Sequence, residues 1–303
     1  MMEITSLQKE LTELLPGVEL HYNEPMSRHT SFQIGGPAEI MAFPKNPTEL
    51  SQVLKRSALT DCKISILGAG TNILAPDKGV SGLVICLKDC LDGIELLDNS
   101  CIRVFAGVTM SRAAIFAAKL NLGGMEFAHG IPGTVGGGIY MNAGAYGGEI
   151  KDICRSVDVM DMNGEICTVP CEEMDFSYRH SRLESNGGIV VSAVFQLIPR
   201  PEAEVREKMQ ELMKKRKASQ PLEFPSAGSA FKRPVGGFAA ALIDQAGLKG
   251  FQIGGAAVSE KHAGFVVNLG GATSEDVVQL LNQVAKVVKE KSGIQLTPEV
   301  RIW

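Results

Sequence analysis

The chain has 303 residues, 45% of them hydrophobic, enough for two or three domains with cores of their own. With 30 Lys and Arg against 34 Asp and Glu, the formal net charge is −4, which excludes a broad basic field for nucleic acid. An anionic ligand must then be met by a few placed Arg or Lys residues or by backbone N–H groups.

The start reads Met1-Met2-Glu3-Ile4-Thr5, then Leu7, Leu11, Leu14 and Leu15 at helical spacing, without the basic-then-apolar order of a secretory signal. No stretch of about 18 apolar residues follows, so no membrane span is expected. An odd count of seven cysteines without a signal predicts reduced thiols and a cytoplasmic home. Cys86/Cys90 and Cys167/Cys171 share C-x3-C spacing that could hold zinc. Cys86 and Cys101 lie in apolar strand-like runs, however, so small core residues are the better reading and no metal is expected.

A β–α–β unit comes next. Ala38–Phe43 is strand-like, Asn46 can cap a helix with Pro47 in its first turn, and Lys63–Leu67 is the next strand. From Gly82 to about Leu197 short strands dominate: Gly82–Leu87, Cys101–Ala106, Val157–Met162 and Ile189–Leu197, with one helix over Ser111–Leu120. Asn163-Gly164 between apolar runs predicts a tight hairpin. Pro201-Glu202-Ala203-Glu204 opens a long helix that ends in Lys214-Lys215-Arg216-Lys217, acid first and base last as the helix dipole favours. A smaller α/β region follows Gln220-Pro221. Its helix Phe238–Ala246 closes at Gly247, Val266–Leu269 is a strand, and Thr273-Ser274-Glu275-Asp276 caps a helix with Val277, Leu280, Leu281, Val284, Val287 and Val288 on its apolar side. A last strand spans Glu299–Trp303.

Two glycine-rich segments stand out. Gly68-Ala69-Gly70-Thr71-Asn72 ends a strand, where glycines let N–H groups converge on a phosphate or simply let the chain turn. No G-x-G-x-x-G opens a helix, and no Walker loop is present. Gly130–Gly148 carries Ile, Val, Met and two Tyr at set places among its glycines, unlike a flexible linker. It reads as an ordered, ligand-contacting loop whose backbone must approach something flat or charged. Two such segments suggest a long, dinucleotide-like ligand, one near its pyrophosphate and one near its ring system.

Ser177-Tyr178-Arg179-His180-Ser181, Ala227–Pro234 and Pro298-Glu299-Val300-Arg301 place polar groups in apolar surroundings. Singly they are ordinary structural residues: an ion pair at Arg179, a turn hydroxyl at Ser229, an exposed Glu299. His180, with no Cys or second His nearby, reads as a hydrogen-bonded loop residue rather than a metal ligand.

Taken together these residues resemble the UDP-N-acetylenolpyruvoylglucosamine reductase family over almost the whole length. The match runs through His29-Thr30-Ser31-Phe32 with Gly35-Gly36-Pro37-Ala38, Gly68–Asn72, Gly130–Gly148, Tyr178–Ser181, Gln220-Pro221, Ala227–Pro234, Ala246–Gly250 and Pro298–Val300. The resemblance implies an α+β, three-part flavoprotein with a two-part FAD-binding region of the vanillyl-alcohol-oxidase type and a C-terminal α/β substrate domain. Residues 1–75 would form the first FAD part, with 297–303 a candidate to pack on it, 76–199 the second, and 200–296 the substrate domain. Only Leu183–Gly188 separates the Tyr-Arg motif from the next strand, and Arg233 stands where the longer subtype has Asn. The chain therefore resembles the shorter subtype, without a substrate-covering tyrosine loop. Gly264 in His262-Ala263-Gly264-Phe265 departs from the expected Asn.

The resemblance further implies NADPH-dependent reduction of UDP-N-acetylglucosamine enolpyruvate to UDP-N-acetylmuramate by a non-covalently held FAD. Arg179 and Glu299 would meet the substrate carboxylate as charge builds on it, and Ser229 would protonate the adjoining carbon. Glu299 could help only if neutral, so a raised pKa is expected for it. FAD contacts are implied at Gly68, Ala69, Gly70, Thr71, Asn72, Gly130, Ile131, Pro132, Gly133, Thr134, Gly136, Gly137, Asn142 and Gly144. Substrate contacts are implied at Tyr146, Tyr178, Lys232, Arg233 and Arg301. A monomer with two small anionic partners and no nucleic acid or membrane is expected.

Overall fold

A computed structural model describes residues 5–60 and 62–303. The signal-peptide reading of Met1–Ile4 lies outside them. The chain divides into two compact units. The first runs to Tyr22 and takes Ile40–Ala69 and Gly82–Lys215; the second takes Asn23–Glu39, Gly70–Ser81 and Arg216–Trp303.

In the first unit the helix Ser6–Leu14 is capped by Thr5, whose hydroxyl accepts from the Gln8 amide, and Leu11 and Leu15 are buried as the leucine spacing predicts. Asn46 caps Pro47–Ser57 by accepting from the Glu49 amide. One sheet is ordered Glu19–Pro25, Pro37–Phe43, Val80–Cys86, Ile64–Leu67. The expected β–α–β unit is thus split: Val80–Cys86 lies between the two strands that flank the helix, parallel to Ile64–Leu67. Its consecutive residues Leu83, Val84 and Ile85 are all buried, so the strand is covered on both faces, as a central parallel strand is. The second sheet is ordered Ile166–Pro170, Cys154–Met160, Ile189–Gln196, Cys101–Phe105, Ile94–Leu96, all antiparallel. The Asn163-Gly164 turn joins its first two strands as predicted, with Met160 opposite Ile166. The helix Glu202–Ser219 buries Val205, Met209 and Leu212.

The second unit is built on a sheet ordered Ser226–Ser229, Phe265–Asn268, Ala256–Val258, Gln252–Ile253. Helices Ala239–Gln245 and Ser274–Ser292 belong to the same unit. Its core joins Phe32, Ile34 and Leu74 to Ala227, Phe231, Ile243, Val266, Leu280, Leu281 and Val284. The last helix carries the predicted cap: Thr273 Oγ1 accepts from the Asp276 amide and Asp276 accepts from the Thr273 amide. Replacing Thr273 with Ala is expected to cost about 1 kcal/mol, read as a lowered urea midpoint. The final strand is shorter than predicted, Arg301–Ile302, and pairs in parallel with Ile73–Leu74. The seven cysteines are free thiols, with Cys86, Cys101 and Cys154 buried. Among the described residues no helix is long and apolar enough to cross a membrane.

Candidate active site

Ser229 and Glu299, seventy positions apart in sequence, lie on paired segments of the second unit. The Glu299 amide donates to Ala230 O (2.9 Å), the Lys232 amide donates to Thr297 O (2.9 Å), and Phe231 bridges Pro298. On its other side the strand Ser226–Ser229 pairs Ser226 with Val267 and Ser229 with Phe265, with a bulge between. Gly228 sits in that bulge at φ +78°, where an L side chain is strained. A bulge re-aims the residue beside it, and Ser229 is exposed here rather than turned into the sheet. The hydroxyl that the sequence nominates is therefore presented outward by the bend that Gly228 permits.

The first glycine motif is tied to the same segments. Asn72 Nδ2 donates to Glu299 O (3.2 Å), and the Arg301 amide donates to Asn72 O (2.9 Å). The Ser31 amide donates to Gly70 O (3.1 Å), and Ser31 Oγ donates to Ser226 O (2.6 Å). Gly70, Asn72, Glu299 and the strand leading to Ser229 thus form one hydrogen-bonded group. Asn268, buried, supports it from below by donating to Phe32 O (3.0 Å). The sequence reading assigned no such bonding role to Ser31, named within the His29–Phe32 motif, or to Asn268, within the predicted strand Val266–Leu269. Their partners are far away in the chain, and neither residue type announces a bond to a distant carbonyl. Arg233 stacks on Phe238, with Cζ 4.3 Å from the ring centroid.

In the first unit the two glycine segments meet. A Cβ on Gly68 would lie 2.7 Å from Thr134 Oγ1, so only glycine allows this approach. Thr134 caps a short helix, Val135–Tyr140, accepting from the Gly137 amide (3.4 Å). This helix lies inside the segment Gly130–Gly148, expected to be an ordered ligand-contacting loop, and it explains some of the glycines by packing. Gly136 abuts Ala106 and Gly138 abuts Met110, whose Sδ would lie 2.8 Å from an added Cβ. Gly137 differs: it is exposed, and the nearest atom to an added Cβ is Thr134 Oγ1 at 3.6 Å. Close glycine backbone beside a capping hydroxyl, with Gly137 left open, fits the diphosphate of a dinucleotide. The donor set therefore fits FAD.

Arg179 occupies a tight turn. The Ser177 amide donates to His180 O and the His180 amide to Ser177 O, both at 3.2 Å, with Arg179 at φ +56°. Its guanidinium lies 5.1 Å from the Tyr178 ring centroid and donates to Gly144 O (3.5 Å). The His180 ring bonds to Glu184 (2.9 Å) and Asp175 (3.3 Å), and the Glu184 hydrogen bond, then that to Asp175, raises its pKa. Among the described residues no group of three or more His, Cys, Asp or Glu could hold a metal. Tyr146 and Tyr178 are both exposed. Asn142 is fully buried, and its side chain bonds to protein groups. After the turn, Leu183–Asn186 makes a single helical turn and the chain passes through Gly187 and Gly188 straight into Ile189–Gln196, with no inserted loop.

Residues 38–170 match the FAD binding domain, and residues 220–303 match the UDP-N-acetylenolpyruvoylglucosamine reductase C-terminal domain. The chain is 47% identical over 296 residues to the UDP-N-acetylenolpyruvoylglucosamine reductase of Caldanaerobacter subterraneus subsp. tengcongensis, covering 98% of this chain and 97% of that one. It is 46% identical to the same-named protein of Agathobacter rectalis, with 97% of each covered. The crystal structure of UDP-N-acetylenolpyruvylglucosamine reductase from Thermus caldophilus superposes with a TM-score of 0.80 at 35% identity, over 94% of this chain and 98% of that one. Fold and matched domains define an α+β FAD-dependent oxidoreductase. The chain belongs to the UDP-N-acetylenolpyruvoylglucosamine reductase family.

Proposed function

We propose that Arg179, Ser229 and Glu299 are the catalytic residues with which this chain carries out its family's reaction. That reaction is the NADPH-dependent reduction of UDP-N-acetylglucosamine enolpyruvate to UDP-N-acetylmuramate, a step of peptidoglycan precursor synthesis. The supporting observation is the pairing that sets Ser229 and Glu299 on adjacent segments, through the Glu299 amide and Ala230 O. When bound, non-covalent FAD would supply the hydride-transfer chemistry between NADPH and the terminal vinyl carbon of the substrate. Gly68, Ala69, Gly70, Thr71, Asn72, Gly130, Ile131, Pro132, Gly133, Thr134, Gly136, Gly137, Gly144 and the main chain of Asn142 hold it.

The side chains have three tasks. Arg179 grips the substrate carboxylate with two parallel donors as negative charge spreads into it. Glu299, kept neutral, donates a hydrogen bond there; as an anion it would repel the developing charge. Ser229 delivers its hydroxyl proton to the carbon beside the one that receives hydride. A serine is a very weak acid at rest, but an enolate carbon is a far stronger base, so a placed hydroxyl suffices. Lys232 and Arg233, near in sequence, stabilise the alkoxide left behind and join Tyr146, Tyr178 and Arg301 in binding the sugar nucleotide.

Two further assignments complete the reading. The protein works in the cytoplasm, where its free thiols persist. It acts as a monomer, and its partners are the substrate and NADPH, not nucleic acid.

Anaerobic mixing tests the function directly. Flavin absorbance should bleach on adding NADPH and return on adding the enolpyruvyl substrate; a bleached flavin that ignores the substrate would reject the assignment. Arg179→Lys should lower kcat/KM about tenfold, because an ammonium cannot make the two-pronged contact. Unchanged kinetics would remove Arg179 from the carboxylate site.

A further inference from the structure

The Tyr178–Arg179 turn is held at three points by one stretch, Tyr140–Gly144. Ser181 Oγ donates to Tyr140 O (2.8 Å), Asn142 Nδ2 donates to Ser177 O (3.1 Å), and Arg179 Nη2 donates to Gly144 O (3.5 Å). Ser181 and Asn142 are both fully buried. Asn142 is the central point, and its own position is fixed. Its Oδ1 accepts from the Lys151 amide (3.0 Å), its second Nδ2 proton goes to Glu149 Oε2 (2.9 Å), and its amide donates to Ile139 O (3.1 Å).

We infer that Asn142 is a positioning residue for Arg179, and that with Ser181 it sets where the guanidinium meets the substrate carboxylate. This rests on the role proposed for Arg179. The argument is one of chemistry and shape. Arg179 sits at φ +56°, a backbone region that costs an L-residue energy and persists only where neighbours enforce it. Asn142, at φ +40°, is itself in that region, which Asn tolerates better than most residues. The site needs one acceptor and two donors at fixed distances on a short side chain. Asp supplies no donor, and Gln is one methylene too long. A buried group with every bond made holds its partners closely; with one bond broken, the carbonyl left behind has no water to replace it. A displacement of about 1 Å at Arg179 would suffice to lower the rate about 100-fold.

The test uses the full-length holoenzyme with Asn142→Asp. This change keeps the acceptor for Lys151 but sets a carboxylate against Glu149 and Ser177 O. Ser181→Ala is the milder second variant, should Asn142→Asp not fold. Three readouts are taken: flavin content with the rate of bleaching by NADPH, the rate of flavin recovery with enolpyruvyl substrate, and deuterium exchange of the 177–182 segment. Expected for Ser181→Ala are near-normal flavin content and bleaching, recovery slowed about 10- to 100-fold with a raised KM, and faster exchange at the His180 amide; Asn142→Asp shows the same faster exchange and a larger loss in recovery than in bleaching. Unchanged exchange, or equal slowing of bleaching and recovery, would overturn the inference. Arg179→Ala separates the two readings. If it slows recovery while both clamp variants recover normally, only the positioning role fails. If Arg179→Ala recovers normally, the catalytic reading of Arg179 fails, and exchange still decides whether Asn142 holds the turn.

Discussion

Ser229→Ala is expected to leave flavin bleaching by NADPH intact and to slow flavin recovery with the enolpyruvyl substrate by about 10²- to 10⁴-fold. That corresponds to roughly 3 to 5 kcal/mol of lost transition-state stabilisation. The asymmetry follows from the task. Bleaching requires no proton at substrate carbon, whereas recovery ends with one. The Ser226–Ser229 strand keeps its partners in the variant, because its ladder and the Ala230–Glu299 bond are main-chain contacts. Stopped-flow absorbance measures both phases on one sample. Equal losses in the two phases would reject Ser229 as the proton donor.

Gly70→Ala should cost the protein its flavin altogether. An added Cβ would lie 2.0 Å from His29 O, a backbone atom that cannot swing aside, and φ is +61°. The segments must part, breaking the bond from the Ser31 amide to Gly70 O. A loss of about 1 to 3 kcal/mol is expected, with purified protein nearly colourless. Gly137→Ala is the contrasting change. The protein leaves room for that methyl, so flavin-free protein should gain about 0.5 kcal/mol from the better helix former. If the open face of Gly137 serves the cofactor, the same methyl weakens FAD binding. Thermal scans and the ratio of visible to ultraviolet absorbance separate the two effects. A stabilised variant with full flavin would remove Gly137 from the FAD site.

Local rules carried the sequence reading a long way. Asn46, Thr273 and the Asn163-Gly164 turn act where short-range chemistry places them, because a cap or tight turn involves partners within four residues. The apolar stripe of the last helix is buried for the same reason, its spacing being a property of the helix alone. Strand order was less legible. Val80–Cys86 lies between two strands joined by a helix, an outcome decided by which apolar faces match and not by neighbours in the chain. The glycine-rich segment shows the same limit. Gly136 and Gly138 answer to Ala106 and Met110, so glycine density mixed packing needs with ligand needs that sequence could not sort. Motif residues such as Arg179 and Ser229 were recognisable by type and order. The groups that hold them, Asn142, Ser181, Ser31 and Asn268, act through carbonyls elsewhere in the chain, and a carbonyl has no sequence signature.

Phe32 and Ile34 are only 1% and 2% exposed in the folded chain, yet most of their core companions, from Ala227 to Val300, come almost two hundred positions later. At ribosomal speeds of roughly 5–20 residues per second, that interval lasts about 10–40 seconds. Throughout it these side chains stay wet on the nascent polypeptide, open to holdase chaperones or to sticking on a neighbouring copy. Yield from cells should therefore respond to translation rate and growth temperature more steeply than the finished protein's resistance to heat would suggest.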